Sequence, residues 1–175
     1  WVEHDPVEIW NNVRQTVGLA LANGQANKDD IVAVGVTNQR ETTIIWDRKT
    51  GEPVYNAIVW QDTRSQDLVD RLAADGGPDR FRPIVGETLS TYASITKIMW
   101  ILENVEGVRE RAERGELAFG NPDTWVIWQM TGGVEGGVHV TDVTNASRTM
   151  LMDLETLQWR EDICEIAGIP MSLLP

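Results

Sequence analysis

Cysteine is nearly missing from these 175 residues: Cys164 stands alone, so no disulfide can close within the chain and no cysteine-based zinc site can be assembled. Histidine is almost as scarce, and His4 and His139 lie far from each other and from Cys164 in sequence, so no metal centre is expected. A lone cysteine suits a reducing compartment, which makes a cytoplasmic location the expectation. Basic residues are also short, with 15 Lys and Arg against 27 Asp and Glu and a formal net charge of -12. Phosphate backbones are held by fields of Lys and Arg, so nucleic acid is excluded as a partner, and an anionic membrane surface is disfavoured on the same ground. The acidity is spread along the chain without a run of five like charges, as solubility requires and an acidic tail does not. No apolar run approaches the ~20 residues of a spanning helix, so no membrane span is expected.

What is present is the composition of a globular domain, 42% hydrophobic and 24% charged, with enough length for a real core. The chain opens on Trp1 without Met and reaches a helix start at once, which suggests a segment of something longer. Asp5 can cap that helix, Pro6 suits its first position and Glu8 completes a box-like pattern. Trp10, Val13, Val17, Ala20 and Leu21 then recur at helical spacing over 6–23, and Asn23-Gly24 supplies the stop. Residues 31–36, Ile-Val-Ala-Val-Gly-Val, read as a strand covered on both faces. Further strands are expected at 42–46 and 54–60, joined by a hairpin loop at 47–51, and a short one at 117–119. Helices are expected at 63–74, at 94–104 through Ile95, Ile98, Met99 and Leu102, from 121 onward with Trp125 and Trp128 on one side, and at 160–167 ending at Gly168. The charged stretch 108–114 is expected outside the core, 132–137 as a flexible glycine-rich insert, and 139–142 and 147–151 as extended pieces around a polar turn. Interleaved strands and helices favour α/β layering.

The densest polar cluster, Thr37-Asn38-Gln39-Arg40-Glu41-Thr42, follows directly on the apolar run 31–36. In open α/β sheets ligands sit beyond the carboxyl ends of strands, where this cluster would lie. Arg40 offers a fork of donors and Glu41 a charged acceptor, a pair that can satisfy hydroxyls that both give and accept hydrogen bonds. The spacing fits an exposed ion pair in a turn equally well. Trp60 ends an apolar strand ahead of polar Gln61-Asp62-Thr63-Arg64, so its ring could wall a pocket, although with eight Trp in the chain a core role competes. The Tyr92 hydroxyl, in a polar stretch ahead of a helix, could meet a ligand or a backbone carbonyl. The run Gly132-Gly133-Val134-Glu135-Gly136-Gly137 lacks a following Lys, Ser or Thr and puts a carboxylate where a phosphate would lie, so it reads as a loop. Cys164 reads as a small core residue.

Taken in order, Arg40-Glu41 within 37–43, Asn56-Ala57-Ile58-Val59-Trp60-Gln61, residues 109–120, Asp123-Thr124-Trp125, His139-Val140-Thr141-Asp142 and Thr144-Asn145-Ala146-Ser147-Arg148-Thr149-Met150 resemble the carbohydrate kinase family with the actin and hexokinase type of fold, and within it the glycerol kinases. The resemblance spans essentially the whole chain. It implies a partial ribonuclease H-like α/β domain with a mixed sheet and flanking helices, and a homo-oligomer. It implies that Arg40 and Glu41 hydrogen-bond glycerol hydroxyls, that Trp60 packs on the carbon skeleton and that Tyr92 meets another hydroxyl. ATP and Mg are the implied cofactors. The family's phosphate-binding hairpin, catalytic Asp and nucleotide-binding domain would lie outside residues 1–175, so this segment alone is expected to be inactive.

Overall fold

The computed structural model describes residues 1–175. Its elements run β1 (Glu3–His4), α1 (Pro6–Gly24), β2 (Ile44–Asp47), β3 (Ala57–Ile58), α2 (Gln66–Ala73), α3 (Arg82–Val85), α4 (Ser94–Asn104), α5 (Val108–Glu113), β4 (Leu117–Gly120), α6 (Pro122–Met130), α7 (Val143–Ala146) and α8 (Glu161–Ala167), with short 3-10 turns between some of them.

The layering follows from the two-residue period of β2 and β4, which pair antiparallel with Ile44 opposite Gly120 and Asp47 opposite Leu117. Ile45, Leu117 and Phe119 face one side and join a core of 26 buried residues with α2, α4, α5 and α8. Ile44, Trp46 and Ala118 face the other, where Trp125 and Trp128 of α6 complete a smaller cluster. Trp46 meets Trp125 edge-on at 5.2 Å, and Trp125 stacks on Trp128 at 5.7 Å. α6 comes this close because position 120 has no side chain: a Cβ there would stand 2.5 Å from Thr124 Cβ and 3.1 Å from the Trp46 ring. After β2 the Asp47 carboxylate accepts from the backbone N–H groups of Lys49 and Thr50, both at 2.7 Å, and Gly51 takes φ 74°. The chain then returns alongside β2 through bridges at Trp46–Pro53 and Thr43–Ile58, and β3 pairs with β1. The expected hairpin at 47–51 is therefore present, as are the helices at 94–104 and from 121, the strand at 117–119 and the last helix, which ends on Gly168 at φ 64°.

Several expectations need correction. Residues 31–36 form no strand; Ile31, Val32 and Val34 are exposed, Val32 at 99%. Their side chains carry the pattern of a strand buried on both faces, yet a ladder needs hydrogen-bonded neighbours, and no segment of this chain pairs with them. With no partner there for a parallel pairing, the expected mixed sheet is represented by two two-stranded antiparallel sheets. α1 stops at Gln25, which takes φ 51° as its N–H reaches the carbonyls of Ala22 and Leu21, and not at Gly24. Residues 108–113 form α5 and contribute to the core, because Val108 and Ala112 are spaced four apart and buried while the charged residues between them face outward. Ser147–Thr149 is a 3-10 turn following α7, not extended chain. The glycine-rich run makes a 3-10 turn over Gly133–Glu135, with the Gly137 N–H donating to the Gly133 carbonyl at 2.8 Å.

Candidate functional site

Residues 37–42 are bent into a turn by local hydrogen bonds. Thr42 N donates to the Gln39 carbonyl at 3.0 Å, and the Thr42 hydroxyl to Gln39 Oε1 at 3.0 Å. Asn38 anchors the approach through a reciprocal pair with Asp123 at the start of α6: Asn38 Nδ2 donates to Asp123 Oδ1 at 2.8 Å, and Asp123 N to Asn38 Oδ1 at 3.0 Å. Thr141 and Asn145 donate to Asp123 Oδ2, each at 3.0 Å. Burial raises the Asp123 carboxyl above its usual range despite these donors. The far side of the turn is tied to α4 and β4, since Asn121 Nδ2 donates to the Thr42 carbonyl at 2.7 Å and the Ser94 hydroxyl to the Glu41 carbonyl at 3.4 Å.

The turn throws its two charged residues in opposite directions. Arg40 is exposed; Glu41 is buried, 4% accessible. Glu41 Oε1 accepts from Arg148 Nε at 2.8 Å, and the same guanidinium pairs with Glu87 and lies with Cζ 5.7 Å from the centre of the Tyr92 ring. Burial opposes the Arg148 charge, but Glu41 and Glu87 outweigh it and strengthen its hold on the proton. Glu87 moves the other way: burial, abetted by Glu41, raises its pKa in spite of Arg148 and Arg40. Trp60 N donates to the Thr42 hydroxyl at 3.3 Å, and the Trp60 ring meets Tyr92 edge-on at 5.7 Å. Both rings are about a third exposed.

The structure therefore brings Glu41, Trp60 and Tyr92 into one continuous patch, joined through Thr42 and Arg148. Arg40 stands at its rim, bonds none of the other three, and reaches the patch through its field at Glu87. Four polar groups make no hydrogen bond within the chain: the Arg40 guanidinium, Glu41 Oε2, the Trp60 indole N–H and the Tyr92 hydroxyl. A charged donor, a charged acceptor and two amphipathic rings form a surface complementary to a small polyhydroxy compound. Arg148 and Glu87 escaped the sequence reading. Arg148 closes a segment rich in residues that bond their own backbone, but a guanidinium has no local backbone role to fill, and that mismatch was the available signal.

The other sequence candidates are structural. His139 is held at both ring nitrogens, by the Phe119 carbonyl at 2.7 Å and Arg48 at 3.2 Å, and burial followed by the Arg48 charge lowers its pKa. Cys164 is buried in α8. A groove of about 590 Å³ runs between α1, residues 34–37, Val126 and Met130; none of the four site residues lines it. No group of three or more His, Cys, Asp or Glu is placed to hold a metal ion. The glycine-rich run is an exposed loop, with Gly132, Val134, Glu135 and Gly136 exposed, and it folds back on the end of α6 at Gly137, where a Cβ would stand 2.5 Å from the Trp128 carbonyl oxygen. No helix is long and apolar enough to cross a membrane.

This layering is shared with solved carbohydrate kinase structures. The model of the FGGY family of carbohydrate kinases, N-terminal domain, matches residues 1–175, and the chain belongs to that family. It is 67% identical to the glycerol kinase of Leifsonia xyli subsp. xyli over its full length and spans 35% of that protein. The same 35% share holds for the glycerol kinase of Clavibacter michiganensis subsp. michiganensis, at 65% identity. Among solved structures, the glycerol kinase of Plasmodium falciparum with ADP superposes with a TM-score of 0.90 at 43% identity, covering 100% of this chain and 34% of that one.

Proposed function

We propose that residues 1–175 form part of the N-terminal, substrate-binding domain of a kinase that transfers the γ-phosphate of ATP to glycerol, giving glycerol 3-phosphate. In this reading Arg40 donates to adjacent glycerol hydroxyls, Glu41 Oε2 accepts from one of them, Trp60 packs on the carbon skeleton and Tyr92 meets the remaining hydroxyl. The observation that carries it is the division of labour at Glu41: Oε1 is committed to Arg148 while Oε2 bonds nothing in the chain, in the same patch as the Trp60 and Tyr92 rings. High identity over the whole chain to proteins named glycerol kinase supports the choice of polyol. ATP and Mg, with the base that takes the proton from the attacking hydroxyl, belong in this proposal to the two thirds of the relatives' length that this chain does not span, and no residue here is assigned to them. A cytoplasmic homo-oligomer is part of the same reading.

The test is steady-state kinetics of the full-length protein with glycerol, dihydroxyacetone and pentuloses. Glycerol is expected to give the highest kcat/KM, and a clear pentulose preference would overturn the substrate assignment. A hydrogen bond to a charged group contributes about 1.5–3 kcal/mol, so Arg40→Ala is expected to raise the glycerol KM by roughly ten- to a hundredfold with little change in the ATP KM. Unchanged glycerol kinetics would remove Arg40 from the site.

A further inference from the structure

Lys97 is buried completely in the first turns of α4. Its ammonium donates to three consecutive carbonyls, those of Thr91 at 2.5 Å, Tyr92 at 2.6 Å and Ala93 at 3.1 Å, which uses all three of its protons. No carboxylate bonds it; Asp62 and Glu41 act on it only through space.

This is an expensive way to fill a core position. Removing an ammonium from water costs several kcal/mol, and the burial pulls this one down to a pKa of about 8. Lys97 is also the fourth residue of α4, close to the positive end of the helix dipole, where a cation is disfavoured. A leucine or methionine would pack there without either cost, so packing alone does not account for a lysine. What the three bonds accomplish is to fix successive peptide units on the segment that carries Tyr92. The Tyr92 hydroxyl makes no bond of its own, so the ring takes its place from the backbone, from the edge contact with Trp60 and from the Arg148 guanidinium. The same first turn of α4 holds the other wall, since Ser94 donates to the Glu41 carbonyl.

We infer that Lys97 is a positioning residue of the polyol site, acting through the 91–93 backbone to set the Tyr92 ring against Trp60. The inference rests on the glycerol-binding reading above and goes beyond it to a residue that would not touch the substrate. Lys97→Met in the full-length protein removes the three donors and keeps an unbranched stem. It is expected to raise the glycerol KM about tenfold while the ATP KM moves by less than about twofold. Combined with Tyr92→Ala, it should add no further rise, because the side chain it positions is already gone. Equal rises in both KM values, or a full additional rise in the Tyr92→Ala background, overturn the assignment and leave Lys97 a structural residue. If Lys97→Met does not accumulate as folded protein, Lys97→Gln keeps two N–H donors and carries the same comparison, with a smaller glycerol-selective rise expected and a non-selective one overturning the inference. Arg40→Ala, measured in parallel, separates the two levels. If it leaves the glycerol KM unchanged, the site reading fails and Lys97 falls with it; if it raises that KM and Lys97→Met does not, only the Lys97 assignment falls.

Discussion

Replacing Arg148 with Met removes the one cation bonded to both Glu41 and Glu87 and keeps an apolar stem under Tyr92. The side chains of Glu41, Glu87 and Arg148 are 5%, 21% and 25% exposed, so two mostly buried carboxylates are left facing one another. Breaking a fully buried pair costs about 3–5 kcal/mol and an exposed one under about 1; with a quarter of Arg148 open to water, about 2–3 kcal/mol is the expected loss. The loss should depend on pH, and its sign follows from Glu87. Burial already raises that carboxyl above its ordinary 4.5, and Arg148 is the main influence pulling it back down. Without Arg148 its folded pKa rises further, so the folded chain binds a proton more readily than the unfolded one. Stability then declines as pH climbs from the unfolded value through the folded one. The deficit of Arg148→Met relative to the parent should be largest near neutral pH and should shrink as the carboxyls protonate toward about pH 5. Urea denaturation followed by the fluorescence of the eight tryptophans measures it at both ends. A deficit of equal size at the two pH values, or one below about 0.5 kcal/mol at neutral pH, would show that the pair is solvated and refute the buried-network reading.

Gly120→Ala places a methyl 2.5 Å from Thr124 Cβ and 2.7 Å from its Cγ2, so it should destabilise by about 1–3 kcal/mol in urea denaturation, and adding Thr124→Ala, which removes Cγ2 but keeps the Cβ, should leave most of that loss in place. If Gly120→Ala costs less than about 0.5 kcal/mol, the close β4–α6 approach is not what requires glycine. The Cys164 thiol, buried in α8 and pushed up to a pKa of about 12 first by burial and then by Asp162 and Glu161, should not react with a disulfide reagent near neutral pH in native conditions. In denaturant it should titrate as the chain's single thiol, and rapid native labelling would contradict its burial.

Local pattern was enough for the elements whose partners lie on both sides of an obvious periodicity. α4 reads from Ile95, Ile98, Met99 and Leu102, all buried, and β4 from a short apolar run that proves buried at every position. Pattern failed where the outcome depends on what lies across the fold. Residues 31–36 have the composition of a strand covered on two faces, but composition states a demand for neighbours and does not supply them. α5 was misjudged in the opposite sense, because two apolar residues at helical spacing suffice to anchor a helix whose other positions are charged. The pairing of β2 with β4 joins segments some 70 residues apart, and nothing in either run names the other.

The same distinction separates the parts of the site that could be read from those that could not. Arg40 and Glu41 were visible because they are adjacent and polar, yet adjacency suggested one shared role, whereas the turn at Gln39–Thr42 sends Arg40 to solvent and Glu41 inward. What pairs with that buried carboxylate is a guanidinium 107 residues further on, in a stretch that reads as a self-satisfied turn. What holds the opposite wall is an ammonium inside a helix that reads as plain core. Both are cations placed where local logic disfavours them, Arg148 among turn formers and Lys97 near the positive end of a helix. A charge that local structure penalises must be stabilised from elsewhere in the fold, and here each finds its partners beside the patch that holds Glu41 and Tyr92.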